Sequence, residues 1–176
     1  MNRIEAIEKL VLKFPDIRAV DTYEFIDNED FENRKVSSET HPVEGATAGI
    51  ITLKDGRIVL AKRIEKNLWT VPGGRVELGE EFDAAFVREA YEETGLVVKI
   101  KDILSLEFRT YKTHSGKSMT FWFTVFISEP NGGHPYTTDI AKSEDLEIGV
   151  FRFDSLPENM TIQDKSLITR YRKLYD

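Results

Sequence analysis

The stretch that decides the fold runs from Gly74 to Leu96 and reads GRVELGEEFDAAFVREAYEETGL. It carries three carboxylates, Glu89, Glu92 and Glu93, at relative positions 0, +3 and +4. Because a helix turns about 100° per residue, these side chains fall within an arc of about 100°. Like charges four residues apart repel, so the grouping destabilises a helix unless something neutralises it. Carboxylate oxygens are the preferred ligands of hard divalent cations, and the pattern therefore indicates a metal site.

The spacing of the other residues in this stretch is equally specific. It fits the pattern G-x5-E-x7-R-E-(apolar)-x-E-E-x-G-(apolar), and in this it resembles the signature box of the Nudix hydrolases. The fixed positions are Gly74, Glu80, Arg88, Glu89, Glu92, Glu93, Gly95 and Leu96. Ala90 departs from the pattern, since the family more often has a larger aliphatic residue there. The resemblance extends more loosely from about Gly45 to Pro157. It implies magnesium-dependent cleavage of a diphosphate inside a nucleotide derivative.

Composition narrows the class of protein. A chain of 176 residues with 40% hydrophobic and 31% charged residues can form one soluble domain with an appendage. It has no cysteine, which excludes disulfides and thiolate ligands and fits a cytoplasmic location. A net charge of −7 argues against general nucleic-acid binding, and no apolar run is long enough to span a membrane. We expect a small-molecule nucleotide as the partner.

The N-terminal part differs from the rest of the chain. Apolar residues recur at helical spacing over residues 3–14, and we expect a helix there that packs on the domain or on a second subunit in a homodimer. Residues 21–35 are acidic and allow a strand or two, and residues 37–42 are typical of a connector. We therefore divide the chain into an extension, residues 1–42, and a Nudix hydrolase domain, residues 43–176.

The remaining pattern predicts strands around the box helix. An Asp-Gly pair between residues 46–53 and 57–63 indicates a hairpin. The box helix should run from about Glu81 to Thr94 with Gly95 at its C-cap, and should bury Ala84, Val87, Ala90 and Tyr91. Further strands are expected at 97–100, 104–112, 118–128 and 150–153, a long polar loop at 129–147, and a last helix at 163–174. The fold class is α/β with a mixed sheet, and the resemblance implies a Nudix-type α/β/α sandwich with a loop–helix–loop box.

The resemblance also assigns roles within the box. Glu89, Glu92 and Glu93 are the expected ligands of Mg²⁺, for which Mn²⁺ could substitute. The backbone carbonyl of Gly74 is a further metal ligand by resemblance alone. Glu80 and Arg88 are expected to form a structural ion pair, and Gly95 has a structural role in ending the helix.

The general base is not fixed by the box. In many family members it lies in the loop before the last strand, which here offers Glu144 and Glu147 ahead of Asp145, because family bases are usually glutamates. In other members a box glutamate equivalent to Glu92 or Glu93 serves as the base. Each loop carboxylate taken singly is more often only a solvated charge.

Substrate contacts are predicted from charge and position. Arginine binds phosphate through two hydrogen bonds at once, which favours Arg63, Arg75 and Arg109, together with Lys112. Tyr111 lies near the position where dinucleoside polyphosphate hydrolases often carry a tyrosine. The first interpretation is a hydrolase of a nucleoside diphosphate linked to a moiety X. The alternatives are a house-cleaning pyrophosphohydrolase of damaged dNTPs and a catalytically inactive nucleotide-binding module, which would be expected to have lost box glutamates.

Overall fold

The structure is a computed structural model that describes the backbone of residues 3–40 and 43–175 and the side chains of residues 4–35 and 45–175. Its elements in chain order are α1 (Arg3–Lys13), β1 (Ala19–Phe25), α2 (Asn28–Thr40), β2 (Val43–Ile51), β3 (Ile58–Arg63), β4 (Leu68–Thr70), β5 (Gly73–Glu77), α3 (Phe82–Thr94), β6 (Leu96–Lys112), β7 (Ser118–Gly133), α4 (Asp139–Ser143), β8 (Leu146–Phe151) and α5 (Ile162–Tyr175).

The strands form two sheets. The larger has the order β1-β6-β7-β2-β5, in which β1 runs parallel to β6 and β2 runs parallel to β7 while the other neighbours are antiparallel. The smaller has the order β4-β3-β8 and is antiparallel. The prediction of a mixed α/β fold is therefore confirmed.

Two hydrophobic cores lie on opposite faces of the larger sheet. On one face α1 and α3 cover a core in which Phe86 stacks on Phe126 with ring centroids 5.5 Å apart. A Cβ at Gly49 would lie 2.2 Å from the Phe86 ring, so only glycine lets the helix approach this closely. On the other face Leu167 and Ile168 of α5 close the second core. These layers position the box helix against the sheet.

The box helix begins and ends close to where the sequence predicts. Helix α3 spans Phe82–Thr94, and Gly95 caps it with φ 70° while its N–H donates to the carbonyl of Tyr91. The predicted buried face is partly wrong, because Ala84 and Tyr91 are exposed. The buried residues are Phe82, Ala85, Phe86, Ala90, Glu93 and Thr94. The helix is rotated about its axis so that one box carboxylate points inward.

The N-terminal extension differs from its prediction beyond α1. Helix α1 forms as expected and lies against α3, with Ala6 and Leu10 in the core. One strand forms at β1, but the segment after it is helical, because Asp27 accepts the N–H of Asp30 at the helix start and Phe31 is buried. The predicted connector is therefore wrong as far as Thr40, and residues 41 and 42 lie outside the described part of the chain.

The predicted hairpin is half correct. Its turn forms, since Leu53 N–H donates to the Arg57 carbonyl at 2.7 Å and Gly56 has φ 80°. The flanking strands then separate, with β2 entering the larger sheet and β3 the smaller. A single bridge, Thr52 to Ile58, joins them. Packing of two sheets has overridden the local tendency of the two strands to pair.

The predicted polar loop is also structured over much of its length. Strand β7 continues to Gly133, helix α4 spans Asp139–Ser143, and β8 begins at Leu146. The two strands predicted at 97–100 and 104–112 form one continuous strand, β6. Its pairing with β7 has an irregular register near Ile100 and Ile103. None of the described helices is long and apolar enough to cross a membrane.

Lys9 and Lys13 of α1 both bond to Glu81 beside α3, at 2.8 and 2.5 Å. The hydrogen bond from Lys13, followed by that from Lys9, lowers the pKa of Glu81 from its ordinary 4.5 to about 2. Since the folded-state pKa is lowered, this stabilisation is present above about pH 4.5 and is lost as the pH falls through about 2.

We therefore expect Glu81→Gln to lower the free energy of unfolding by about 1 kcal/mol at neutral pH, after allowance for solvent screening. The deficit should shrink toward zero between pH 4.5 and pH 2 in urea titrations. A deficit that is constant over this range would show that Glu81 does not act through its charge.

Candidate active site

The loop before the box helix touches a box carboxylate directly. An added Cβ at Gly74 would lie 2.4 Å from the Glu89 carboxyl carbon. Any other residue at position 74 would therefore displace Glu89. The first position of the box is a glycine here because the backbone of β5 and the carboxylate of Glu89 on α3 occupy adjoining space.

Glu93 is the most deeply buried box carboxylate, with 3% of its surface exposed. Its Oε2 accepts the N–H of Gly73 at 3.0 Å. The pKa of Glu93 is raised to about 8, chiefly by burial; the charges of Glu89 and Glu144 contribute to the rise, while the Gly73 N–H and Arg63 oppose it. Sequence periodicity had not distinguished this carboxylate from its two neighbours.

Glu89 lies in a similar environment. Burial raises its pKa, the Arg88 guanidinium opposes the rise, and the charges of Glu92 and Glu144 add to it. Glu89, Glu93 and Glu144 therefore lie within electrostatic range of one another. Such a group of carboxylates binds a cation favourably.

Arg88 spreads its guanidinium over the other acidic residues of the box. Nε and Nη2 donate to the two carboxylate oxygens of Glu80 at 3.0 and 2.9 Å, and Nη2 also donates to the carbonyl of Arg75 at 2.9 Å. Nη1 donates to Glu89 at 2.8 Å and to Glu92 at 3.0 Å. The predicted Glu80–Arg88 pair thus exists in the structure, and it also ties the start of α3 to β5.

The predicted ligand set is not already assembled. Within the described residues, no three side chains of the kinds that ligate metals are grouped to hold an ion. The reason is that Glu92 turns toward Arg88, while Glu93 turns toward the Gly73 N–H. The donor chemistry still fits a hard divalent cation, because the buried Glu93 and the partly buried Glu89 have raised pKa values and lie near an exposed third carboxylate, Glu144.

Helix α4 brings Glu144 to the box. The Thr138 hydroxyl donates to the backbone carbonyl of Glu92 and accepts the N–H of Ala141, so it joins the C-terminal end of α3 to the start of α4. Glu144 follows as the C-cap of α4. By contrast, Glu147 is exposed on β8, where its inward neighbour is the buried Leu146. Of the two predicted bases, the structure brings only Glu144 toward the box carboxylates.

A cavity of about 300 Å³ lies beside the box loop. The lining residues of the five strands share one face of the larger sheet, as strand alternation and register show. This face forms the floor of the cavity, and the floor crosses all five strands. From the box outward the floor is lined by Gly73, Gly74 and Arg75 of β5, Ala46 and Ala48 of β2, Phe121 and Phe123 of β7, Arg109 and Tyr111 of β6, and Glu24 of β1.

Four of the five predicted substrate contacts line this cavity: Arg63, Arg75, Arg109 and Tyr111. The guanidinium of Arg109 lies 3.9 Å from the centroid of the Phe123 ring and 2.6 Å from Glu107. The fifth predicted contact, Lys112, does not line the cavity. It lies on the opposite face of β6 from Tyr111, and its ammonium is 4.4 Å from the centroid of the Tyr23 ring.

The sequence analysis missed several residues of the site. Asp164 lines the cavity, is 9% exposed, and accepts hydrogen bonds from the Thr161 hydroxyl at 2.6 Å and from the Val71 N–H. Burial raises its pKa. The Thr-x-x-Asp spacing at the start of α5 was an available signal for a helix cap. Nothing in the local sequence marks Thr138, Glu24 or Arg34, which reach the site through tertiary contacts.

Comparison with known proteins settles the family. A family model described as NUDIX domain matches residues 43–171. The chain belongs to the Nudix family of hydrolases. It is 34% identical over 136 residues to an ADP-ribose pyrophosphatase from Methanocaldococcus jannaschii, a match that covers 76% of this chain and 75% of that relative. It is 37% identical over 105 residues to an 8-oxo-dGDP phosphatase from Mus musculus, covering 59% of this chain but only 30% of the relative.

Solved structures agree on the fold. A MutT NUDIX hydrolase from Burkholderia pseudomallei superimposes with a TM-score of 0.58 at 25% identity, covering 71% of this chain and 95% of that chain. A MutT protein from Methanosarcina mazei Go1 has a TM-score of 0.56 at 16% identity and covers 89% of this chain and 98% of its own. The second likeness shows the fold alone. The expected Nudix-type architecture is therefore confirmed.

The Arg88 contacts predict a loss of stability on substitution. Arg88→Ala removes the cation that Glu80, Glu89 and Glu92 share, and should lower the free energy of unfolding by about 1–3 kcal/mol, because hydrogen bonds to charged groups are lost. Arg88→Lys keeps the charge but loses the five hydrogen-bond donors of the guanidinium. Its free energy of unfolding in urea titrations should therefore lie between those of wild type and Arg88→Ala. An alanine variant as stable as wild type but without activity would make Arg88 a substrate ligand instead.

Proposed function

We propose that this chain hydrolyses a diphosphate bond in a nucleoside diphosphate linked to another moiety, with Mg²⁺ as cofactor and Mn²⁺ as a substitute. The observation that carries the proposal is the position of two box carboxylates, the buried Glu93 and the partly buried Glu89, against the Gly73–Gly74 loop at the end of an arginine-lined cavity. Phosphates entering the cavity would meet the cation and the arginines together.

The cation would be held by Glu89, Glu93 and the Gly74 carbonyl. Glu92 would join them if its carboxylate left Arg88, to which it is bonded at 3.0 Å. When bound, Mg²⁺ supplies charge neutralisation on the diphosphate and a lowered pKa of water. The protein's own contribution is to orient the carboxylates in a poorly solvated place, where a bound cation would favour their charged form.

The substrate phosphates would be held by the arginines nearest the box. Arg75 is on β5, one residue beyond Gly74, and the charge of Arg63 is felt by Glu93. Arg109 is further along the floor and is already paired with Glu107, so its contribution is orientation more than net charge. Guanidinium groups at both ends of the diphosphate fix it in one pose.

Glu144 is our proposed general base. Its charge acts on both Glu89 and Glu93, and the Thr138 bridge fixes its helix to α3. It would take the proton from the attacking water at its carboxylate oxygen. Neither of these observations applies to Glu147, which is exposed on β8 and lies opposite Lys62 of β3 in the sheet register.

The relatives support this substrate class. The ADP-ribose pyrophosphatase shares three quarters of its length with this chain, whereas the 8-oxo-dGDP phosphatase shares 30%. Hydrolysis of damaged nucleotides is therefore the second candidate. A catalytically inactive module is disfavoured, because Glu89, Glu92 and Glu93 are all present.

The box carboxylates can be tested by charge removal. Glu89→Gln and Glu93→Gln keep the shape of the side chain, so the protein should fold while turnover falls by about 10² or more. Turnover is scored on a panel of sugar nucleotides, ADP-ribose and oxidised dNTPs with Mg²⁺, by which phosphate product forms. Glu77→Gln, an exposed change on β5, is the matched control and should be nearly silent. If Glu89→Gln and Glu93→Gln both keep the wild-type rate on the best substrate, as the control does, these carboxylates do not carry the reaction.

The base is tested by a pair of variants. Glu144→Gln should lower kcat by about 10²–10⁴ with little change in KM, which is the usual contribution of a general base. Glu147→Gln, three residues further along the same segment, should leave both constants near wild type. If both variants keep the wild-type kcat, the base lies inside the box. If only Glu147→Gln lowers kcat, Glu147 is the base and our assignment is wrong.

A further inference from the structure

The cavity has a second end that the box does not explain. Its floor starts at β5 and ends at β1, four strand spacings away, which is about 19 Å. The residues at this far end, Glu24 of β1 and Arg34 of α2, lie outside the region 43–171 that matches the family. The N-terminal extension therefore supplies part of the cavity wall.

The guanidinium of Arg34 lies over an aromatic ring at this far end. Its guanidinium carbon is 4.5 Å from the centroid of the Tyr111 ring, and Tyr111 in turn packs on Phe121 with centroids 5.1 Å apart. Tyr111 is buried while Arg34 remains exposed. Within the described residues, Arg34 has no carboxylate partner. A guanidinium thus covers the ring where both residues line the cavity.

Glu24 stands beside this platform. It is the register partner of Tyr111, so its side chain is on the same face of the sheet. Among the residues whose side chains the structure describes, none donates a hydrogen bond to its carboxylate. Two opposite charges therefore line one wall, and among the described side chains neither forms an ion pair.

Helix α2 is held in place by contacts that do not involve these two residues. Phe31 is buried, the Ser115 hydroxyl donates to Asn28 at 2.7 Å, and Lys66 pairs with Asp30 at 3.2 Å. Lys117 also pairs with Glu32. The helix is thus tied to two other loops, which gives Arg34 a defined position.

We propose that this far end binds a nucleobase that carries an exocyclic amine. A guanidinium plane on an aromatic ring is a surface on which bases stack. A carboxylate beside it accepts a hydrogen bond from an amino group, as it does from the amine of cytosine in nucleic-acid recognition. The inference rests on the proposed function, and it assigns the base end of the nucleotide to β1 and α2.

A second phosphate is the other ligand that Arg34 could hold. It fits less well, because Glu24 on the same wall would repel an anion, and because Arg63 and Arg75 already serve the box end. A base with an amine uses both charges, whereas a phosphate uses one and opposes the other.

The test measures binding without turnover. AMP, purine riboside 5′-monophosphate and ribose 5-phosphate contain no anhydride, and they differ stepwise by the amine and then by the whole base. By isothermal calorimetry with the full chain, AMP should bind about tenfold more tightly than purine riboside 5′-monophosphate, the scale of one hydrogen bond to a charged group. Ribose 5-phosphate should bind more weakly than either.

Variants then assign each contact. Arg34→Ala should weaken AMP and purine riboside 5′-monophosphate by about 5- to 100-fold, the scale of one lost stacking contact, and leave ribose 5-phosphate unchanged. Arg34→Lys, which keeps the charge without the plane, should behave almost like the alanine variant. Glu24→Ala should bring the two base-bearing ligands to within about threefold of each other. Lys35→Ala on the same helix and Asp21→Ala on the same strand are the matched controls and should bind AMP like wild type.

The outcomes separate this inference from the proposed function. Equal binding of AMP and ribose 5-phosphate, or a loss of ribose 5-phosphate binding in Arg34→Ala, would overturn the base site, the latter in favour of a phosphate site. If the predicted pattern holds while no diphosphate on the substrate panel is cleaved, the base site stands and only the proposed reaction fails. If the panel is cleaved while Arg34 and Glu24 do not affect AMP, only the base site fails.

Discussion

The burial of Glu89 and Glu93 against the Gly73–Gly74 loop is the constraint on which the site depends. Burial raises the pKa of both carboxyl groups, so holding them charged costs free energy that the fold must supply elsewhere. The fold supplies it through the packing of α3 on the larger sheet, where Phe86 stacks on Phe126. A divalent cation held by these carboxylates, as we propose, would recover this cost, because an ion that binds only the folded state stabilises it.

The same constraint explains the features next to the box. Gly74 leaves room for the Glu89 carboxylate, and Arg88 donates to Glu89 and Glu92. Thr138 then attaches α4 to the carbonyl end of α3, so that Glu144 faces the same carboxylates. Local backbone contacts, and not long flexible side chains, therefore set the distances in the site.

The sequence predicts what depends on short-range pattern. The box helix, its Gly95 cap and the mixed α/β class follow from helical periodicity, glycine at positive φ and alternating strands, and all three are confirmed. Helix α2 was not predicted, because its residues are mostly polar and, among its described side chains at residues 28–35, only Phe31 is buried. The inward turn of Glu93 could not be predicted either, since three equally spaced glutamates become different only when the sheet covers one of them. The cavity wall at Arg34 depends on the register of β1 beside β6, which no local pattern encodes.

The most direct test of the metal site is a crystal structure of the protein grown with Mn²⁺, with data collected at the manganese absorption edge. We expect an anomalous peak coordinated by carboxylate oxygens of Glu89 and Glu93 and by the Gly74 carbonyl, with oxygen distances close to the roughly 2.0–2.1 Å of Mg²⁺ sites. A peak held elsewhere, or no peak at millimolar Mn²⁺ while Glu93 keeps its bond to the Gly73 N–H, would contradict the assignment of these carboxylates as metal ligands.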